Sequence, residues 1–452
     1  MKKNDAFVQI LIVGFISFCC PGIFNAMQGL GGAGGKNPDA GNAANTALYA
    51  TFAVCGYFGG PVFNALGNRW CMCLGGLCYA IYSVCMYIVG NVDNTAWVAP
   101  LGGAILGAGA GIFWTAQGGM MLAYSTPDNK GWYISVFWII FNLGGVAGGL
   151  IAFGINFHEE SGQANPALYF TFIGLMCVGA LSSLILLANP RKVIKEDGSA
   201  VEVTPAGSAI EDIKGALLVA TNLDMLLLFC TFLSSNWFYT YQLNYLNAFL
   251  FNIRTRGLNS TLYWAIQMAG AYVVGKILDS VKHRAKTNAR NSYFLVQFAM
   301  IAFWAGSIAI QYGFEGGYDK DRVITESVDM SQSKRATGII ILFIISGFAD
   351  SVLQAFSYWM IGGVARGDTT LTARYTGYYK GLQSAGAAVA WGLDLKVNYR
   401  IQMWIAIGIW ALAALTCYPA VNRVADAEHA PKVEAADLEA AVEDVPRSGI
   451  SA

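Results

Sequence analysis

A chain of 452 residues with 55% hydrophobic and only 12% charged side chains, at a mean hydropathy of +0.47, carries more apolar surface than a soluble interior could hold. Its 28 basic and 28 acidic residues cancel, which excludes the basic excess of a nucleic-acid-binding protein. The lipid bilayer is the partner this composition implies.

Apolar runs rich in Gly, Phe, Tyr and Trp, separated by short polar breaks, predict membrane-spanning helices over 7–30, 43–67, 71–90, 97–124, 131–156 and 167–189. Each reaches the roughly twenty residues that a helix needs to cross the hydrocarbon core. The first is too long for a cleavable signal peptide and is expected to stay in the mature protein. A polar stretch, 190–222, containing Lys195, Glu196, Asp197, Gly198 and Ser199, reads as a linker. Six more spans follow at 223–251, 258–279, 290–312, 338–362, 374–394 and 399–419. The charged segment 314–337 reads as a solvated, mobile loop, and the acidic, Ala-rich tail as disordered or weakly helical. The expected fold is therefore an all-α polytopic membrane protein with about twelve transmembrane helices in two six-helix bundles, 1–189 and 223–420, with a linker at 190–222 and a tail at 421–452.

With both termini in the cytoplasm, seventeen Lys and Arg fall on the inner side and nine on the outer, leaving Lys276 and Lys380 within helices. The positive-inside tendency favours that orientation, in the plasma membrane or an endomembrane.

Charge inside the spans is the clearest pointer to mechanism. Asp350 and Lys380 each lie within a predicted helix, and leaving either unpaired would cost at least about 2.5 kcal/mol. Two readings stand: an ion pair that stabilises the second bundle, or a proton or cation site at the midplane with Lys380 as its charge partner. Asn236, Thr240, Asn244 and Asn247 recur on one stripe of the seventh helix, flanked by Tyr239 and Gln242. Such a stripe should face water or another helix. Trp114 with Gln117, and Trp138 with Asn142, place rings beside amides at comparable depth, a combination suited to a small amphipathic or cationic solute. Gln354 lies one turn from Asp350. Hydrogen bonding between helices is the alternative use for each of these polar groups.

Glycines repeat at four-residue spacing in the second (Gly56, Gly60), fourth (Gly103, Gly107, Gly111) and fifth spans (Gly144, Gly145, Gly148, Gly149), marking close helix contacts. The ten cysteines lack metal-ligand spacing and read as small packing residues, and the three histidines are scattered. With no phosphate-binding loop, nucleophile elbow or metal motif, the chain is expected to be neither an enzyme nor an ATP-driven pump, and to need no cofactor. Asn259-Ser260-Thr261 is a glycosylation sequon that abuts a helix and is expected to remain unmodified.

Two six-helix halves joined by a linker resemble the major facilitator superfamily. Cys20-Pro21-Gly22-Ile23-Phe24-Asn25-Ala26, Gly29-Leu30-Gly31-Gly32 and Asn45-Thr46-Ala47-Leu48-Tyr49 resemble the opening of the uncoordinated-93-like family as found in fungi. So do Phe113-Trp114-Thr115-Ala116-Gln117-Gly118, the run from Lys130 to Trp138, and Phe141-Asn142-Leu143-Gly144. The resemblance implies a secondary transporter moving a small solute by alternating access, though some relatives act as regulatory subunits of potassium channels or escort other membrane proteins. It also implies a Gly-x-x-x-Asp gating motif. The copy after the second span, Asn64-Ala65-Leu66-Gly67-Asn68-Arg69, lacks the aspartate. The copy after the eighth keeps Gly275 and Asp279, followed by Lys282, His283 and Arg284. There the carboxylate would latch onto a helix N-terminus, unless the group is an ordinary helix-end charge cluster. In the superfamily, helices two, five, eight and eleven face the opposite half, which places Gly270 and Gly275 at that seam.

Overall fold

The computed structural model describes residues 3–30, 37–126, 129–158, 165–201, 218–278, 285–365 and 369–427. The tail beyond Ala427 and the centre of the linker, 202–217, lie outside them. Among the described residues, twelve helical segments run back and forth. Helix α1 is Ala6–Gly29, widened into a π-turn at Phe18–Gly22. Pro21 has no N–H to give to the preceding turn, so the helix loosens there. The long helix Pro38–Asn91 is broken at Gly67, where φ is 75°, into α2 (38–66) and α3 (68–91). A β-carbon would be strained in that left-handed conformation. Beside this break Arg69 Nε donates to the Leu187 carbonyl (2.7 Å) and Asn68 to the Ala188 carbonyl (3.0 Å). These bonds satisfy backbone acceptors just past a helix end.

The rest of the first half is α4 (Val98–Tyr124), α5 (Lys130–Ile155) and α6 (Pro166–Leu186). In the second half α7 is interrupted: Leu223–Leu227, Phe229–Ser234, then a π-helical stretch, Thr240–Phe249. It is followed by α8 (Ile253–Leu278), α9 (Ala285–Gly313), α10 (Ser333–Ala365), α11 (Thr369–Asp394) and α12 (Tyr399–Ala427). The start of α1 and the segment after α6 share one end of the molecule, where Ala6 N donates to Ile194 O and Ile194 N to Asn4 O. We refer to this as the terminal end and to the opposite side as the far end.

Two hydrophobic cores form, one drawn from residues 6–201 together with Ile253, the other from 219–421. Among the described residues, eight helices are long and apolar enough to cross a bilayer, and α2, α7, α8 and α11 are not among them. Polar side chains of those four bond to neighbouring helices: Asn42 and Asn244 to Asp394, Gln267 to Asp350 and Gln383 to Gln354.

Glycines set the seam between halves. On α5, Gly144 and Gly148 face α1, whereas Gly145 and Gly149 face α8, where an added β-carbon would stand 2.6 Å from Trp264 and 2.7 Å from the Thr261 backbone. From the other side Gly257 lies as close to the Phe153 backbone. The expected seam residues Gly270 and Gly275 do not serve there: Gly270 abuts Ser351 of α10 within its own half, and Gly275 meets open space.

The segment 314–332 is a folded clasp, not the solvated loop expected from its charges. Asp319 is fully buried and accepts hydrogen bonds from the Tyr399 (2.7 Å) and Arg400 (3.0 Å) backbone, capping the N-terminus of α12. Asp329 takes a bidentate pair from Arg254 (2.6 and 2.9 Å) and a bond from Asn252 (2.7 Å). Charged residues are tolerated in this position because each meets its partner.

Gly149→Ala and Gly257→Ala should each lower stability by about 1–3 kcal/mol, because the colliding atoms are backbone and cannot turn aside. Thermal denaturation in detergent checks this, with Gly174→Ala in open space as the neutral control. Arg254, with Ser331 and Asn252, holds the Asp329 carboxyl well below the usual carboxylate range despite its burial. Its stabilising effect is therefore complete above about pH 4 and fades as pH falls below that value. Asp329→Asn should cost about 1.5–3 kcal/mol at pH 7, with the gap to the natural protein narrowing in acid; a pH-independent gap would contradict the assignment.

Candidate functional site

Asp350 sits near the middle of α10, fully buried, with no ion pair to a cation among the described residues. Its carboxylate is instead held by neutral donors from three helices. Oδ2 faces the hydroxyls of Tyr239 (3.0 Å) and Tyr263 (3.0 Å) and accepts from Gln267 Nε2 (2.9 Å), while Oδ1 accepts from Gln354 Nε2 (2.7 Å). The Gln354 amide also donates to Tyr239 OH (3.2 Å). Tyr263 OH stands equally close to Gln242 Oε1 (2.9 Å), so its single proton is shared between two acceptors. Such a shell satisfies a buried anion without neutralising it, and protonation of the carboxylate would leave donors competing for fewer lone pairs.

Lys380 does not form the direct ion pair expected with Asp350. Its ammonium donates to Gln383 Oε1 (2.8 Å) and lies over the rings of Tyr379 (5.0 Å) and Tyr358 (5.3 Å). Two glutamines separate the charges: Gln383 Nε2 reaches Gln354 Oε1 (3.4 Å), and Gln354 in turn holds Asp350. The lysine stem turns toward the tyrosine rings, so the link is a relay of amides.

The first half contributes rings. Trp114 and Trp138 stack at 6.4 Å, Phe141 stands edge-on to both, and Trp114 Nε1 donates to Tyr79 OH (3.2 Å). Trp138 meets Tyr358 of α10 across the seam at 6.5 Å. Trp114, Trp138, Tyr358, Lys380, Gln354 and Tyr239 are all half-buried, unlike the sealed core around them. Gln117 and Asn142 are buried nearby on α4 and α5.

The seventh-helix stripe does not stay together. Because α7 is broken and ends in a π-helical stretch, its residues turn at a different period from the one read off an ideal helix. Tyr239 and Gln242, the expected flank, reach the Asp350 cluster. Asn236 is buried with its carbonyl oxygen unpaired, and Thr240 bonds back to the Trp237 carbonyl. Asn244 and Asn247 point across the seam at the far end. There Asn42 of α2 donates to Asp394 Oδ2 (2.6 Å), Asn244 donates to the same oxygen (2.9 Å) and to Asn42 Oδ1 (2.8 Å), and Lys320 from the clasp pairs with Asp394 (3.5 Å). Asn247 bonds the Gly29 carbonyl, and Arg254 the Phe157 carbonyl (3.2 Å). The halves are thus stitched together at the far end. Asn259 of the sequon is fully buried against Asn247 (2.8 Å), which leaves no room for a glycan. Of the gating candidates, Asp279 and Arg284 lie outside the described residues, and Gly275 touches nothing.

Sequence reasoning missed Tyr263, Gln267, Gln383, Tyr358 and the Asn42–Asp394 pair. Gln267 and Gln383 carried a usable signal, as amides within predicted spans. The tyrosines carried none, since every apolar run after the first contains at least one.

The chain matches the profile of the family described as ion channel regulatory protein UNC-93 over residues 33–417. It is 38% identical to UNC93-like protein 1 of Arabidopsis thaliana over 92% of this chain and 89% of that one. A similar 38% relates it to UNC93-like protein C922.05c of Schizosaccharomyces pombe, covering 89% and 80%. In three dimensions it is similar to the nucleoside transporter NupG at a TM-score of 0.62 and 12% identity, covering 92% of this chain and all of that one. That likeness shows that the two chains share a fold. With the family profile and both relatives in agreement, this multi-pass membrane protein belongs to the UNC-93 family.

Proposed function

We propose that the chain is a secondary transporter that moves a small solute by alternating access, with Asp350 as its proton- or cation-coupling group. One observation carries this reading: a buried carboxylate at mid-depth, ringed by neutral donors, adjoins half-buried rings contributed by both halves. A charge held that way in a bilayer is costly as pure scaffolding, and intramembrane carboxylates of this kind mark ion pathways. The far-end stitching corresponds to one of the two closed gates that alternating access requires. On this reading Trp114, Gln117, Trp138, Asn142, Asn236, Tyr239, Thr240 and Gln354 are assigned to the solute path. The units are a first bundle (1–189), a linker (190–222), a second bundle (223–420) and a tail, with both termini cytoplasmic.

A second reading is favoured by the family's description as a channel regulator: a non-transporting subunit that docks on another membrane protein. It needs no movement of solute and no titration at Asp350. Uptake separates the two. Proteoliposomes offered a metabolite extract under an inward acid gradient should accumulate at least one solute above protein-free vesicles, read by mass spectrometry of the lumen. Asp350→Asn should reduce gradient-driven uptake at least about tenfold while the protein remains folded and monodisperse. Uptake equal to that of empty vesicles would leave only the regulatory reading. For orientation, a cysteine at Ser199 in a cysteine-free chain should react with an impermeant maleimide only after the cytoplasmic face is opened. Labelling in intact cells would reverse the topology.

A further inference from the structure

Lys380 is an anomaly that the coupling role of Asp350 leaves unused. It lies about 16 Å along α11 from the terminal end, well inside the membrane. No ion pair joins it to a carboxylate among the described residues. Among the described residues its ammonium donates one hydrogen bond, to the neutral Gln383, and its remaining donors find no acceptor there. Two tyrosine faces offset only part of the cost of holding an ammonium at this depth. The nearest strong acid, Asp350, already accepts from Gln267 and Gln354 and meets two tyrosine hydroxyls. The ammonium lies over Tyr358, Tyr358 meets Trp138 of the opposite half, and Trp138 stacks on Trp114, all of them half-buried.

We propose that Lys380 and the Tyr358–Trp138–Trp114 rings form the binding site for an organic anion, a small carboxylate or phosphate ester with a planar apolar body. The anionic group completes the coordination of the ammonium, and the body lies against the rings of both halves. This differs from the small amphipathic or cationic solute that the sequence suggests: the carboxylate that would attract a cation is already enclosed by donors, whereas the ammonium keeps donors to spare among the described residues. The inference deepens the transport reading and rests on it for its physiological meaning, but the binding itself requires no translocation.

The test uses three probes of one shape and different charge: phenylacetate, phenylacetamide and phenethylammonium, with acetate to weigh the contribution of the rings. Titration calorimetry on the full chain in nanodiscs should find phenylacetate bound at least about tenfold more tightly than the amide and more tightly than acetate, with phenethylammonium the weakest. Lys380→Gln should bring phenylacetate down to the level of the amide, and Lys380→Arg should preserve the preference. Equal binding of all three probes, preference for the cation, a preference unchanged in Lys380→Gln, or no saturable binding to the natural chain would each overturn the proposal. Because the charge series on the natural chain is decisive alone, a variant that fails to fold does not blunt the test. Anion binding without vesicle uptake would reject the transport reading and leave this site standing.

Discussion

A bilayer offers no water to an unsatisfied polar group, so every amide, hydroxyl and charge within the spans must find a partner inside the protein. That constraint organises this molecule. Among the described residues eight helices are apolar enough to span, and α2, α7, α8 and α11 meet their neighbours through polar side chains. The result is a polar seam threaded between two dry cores.

Along that seam the chemistry is graded. At the far end Asn42, Asn244, Asp394 and Lys320 fasten the halves. At mid-depth Asp350 is enclosed by neutral donors. Toward the terminal end the seam becomes aromatic and carries the ammonium of Lys380. Backbone contact at Gly145, Gly149 and Gly257 lets α5 and α8 lie close enough for these groups to meet.

Much of this was legible in the sequence. Helix number and the two-half layout follow from run length and spacing, and Asp350 and Lys380 announce themselves as charges in apolar surroundings. Partnership was harder to read. Asp350 and Lys380 look like natural mates when only charge is counted, yet Gln383 of α11 and Gln354 of α10 come between them. The stripe on α7 assumed an ideal helical period, which its breaks and π-turns abolish. Glycine pairs could be found by spacing, but only the packing reveals that alternate members of one run on α5 serve different neighbours. The charges of 314–332 signalled solvent, yet Asp319 caps α12, Asp329 clasps the start of α8 and Lys320 pairs with Asp394 of α11.

The sharing of a single oxygen at the far end has a kinetic meaning. Asn42 and Asn244 both donate to Asp394 Oδ2, and they also bond each other. Pulling α2 away from α11 breaks both bonds of Asn42 together, while Asn244 and Lys320 stay on Asp394 within the second half. The acceptor is thus kept in place by its own half when that face opens, ready to recapture Asn42 as α2 returns.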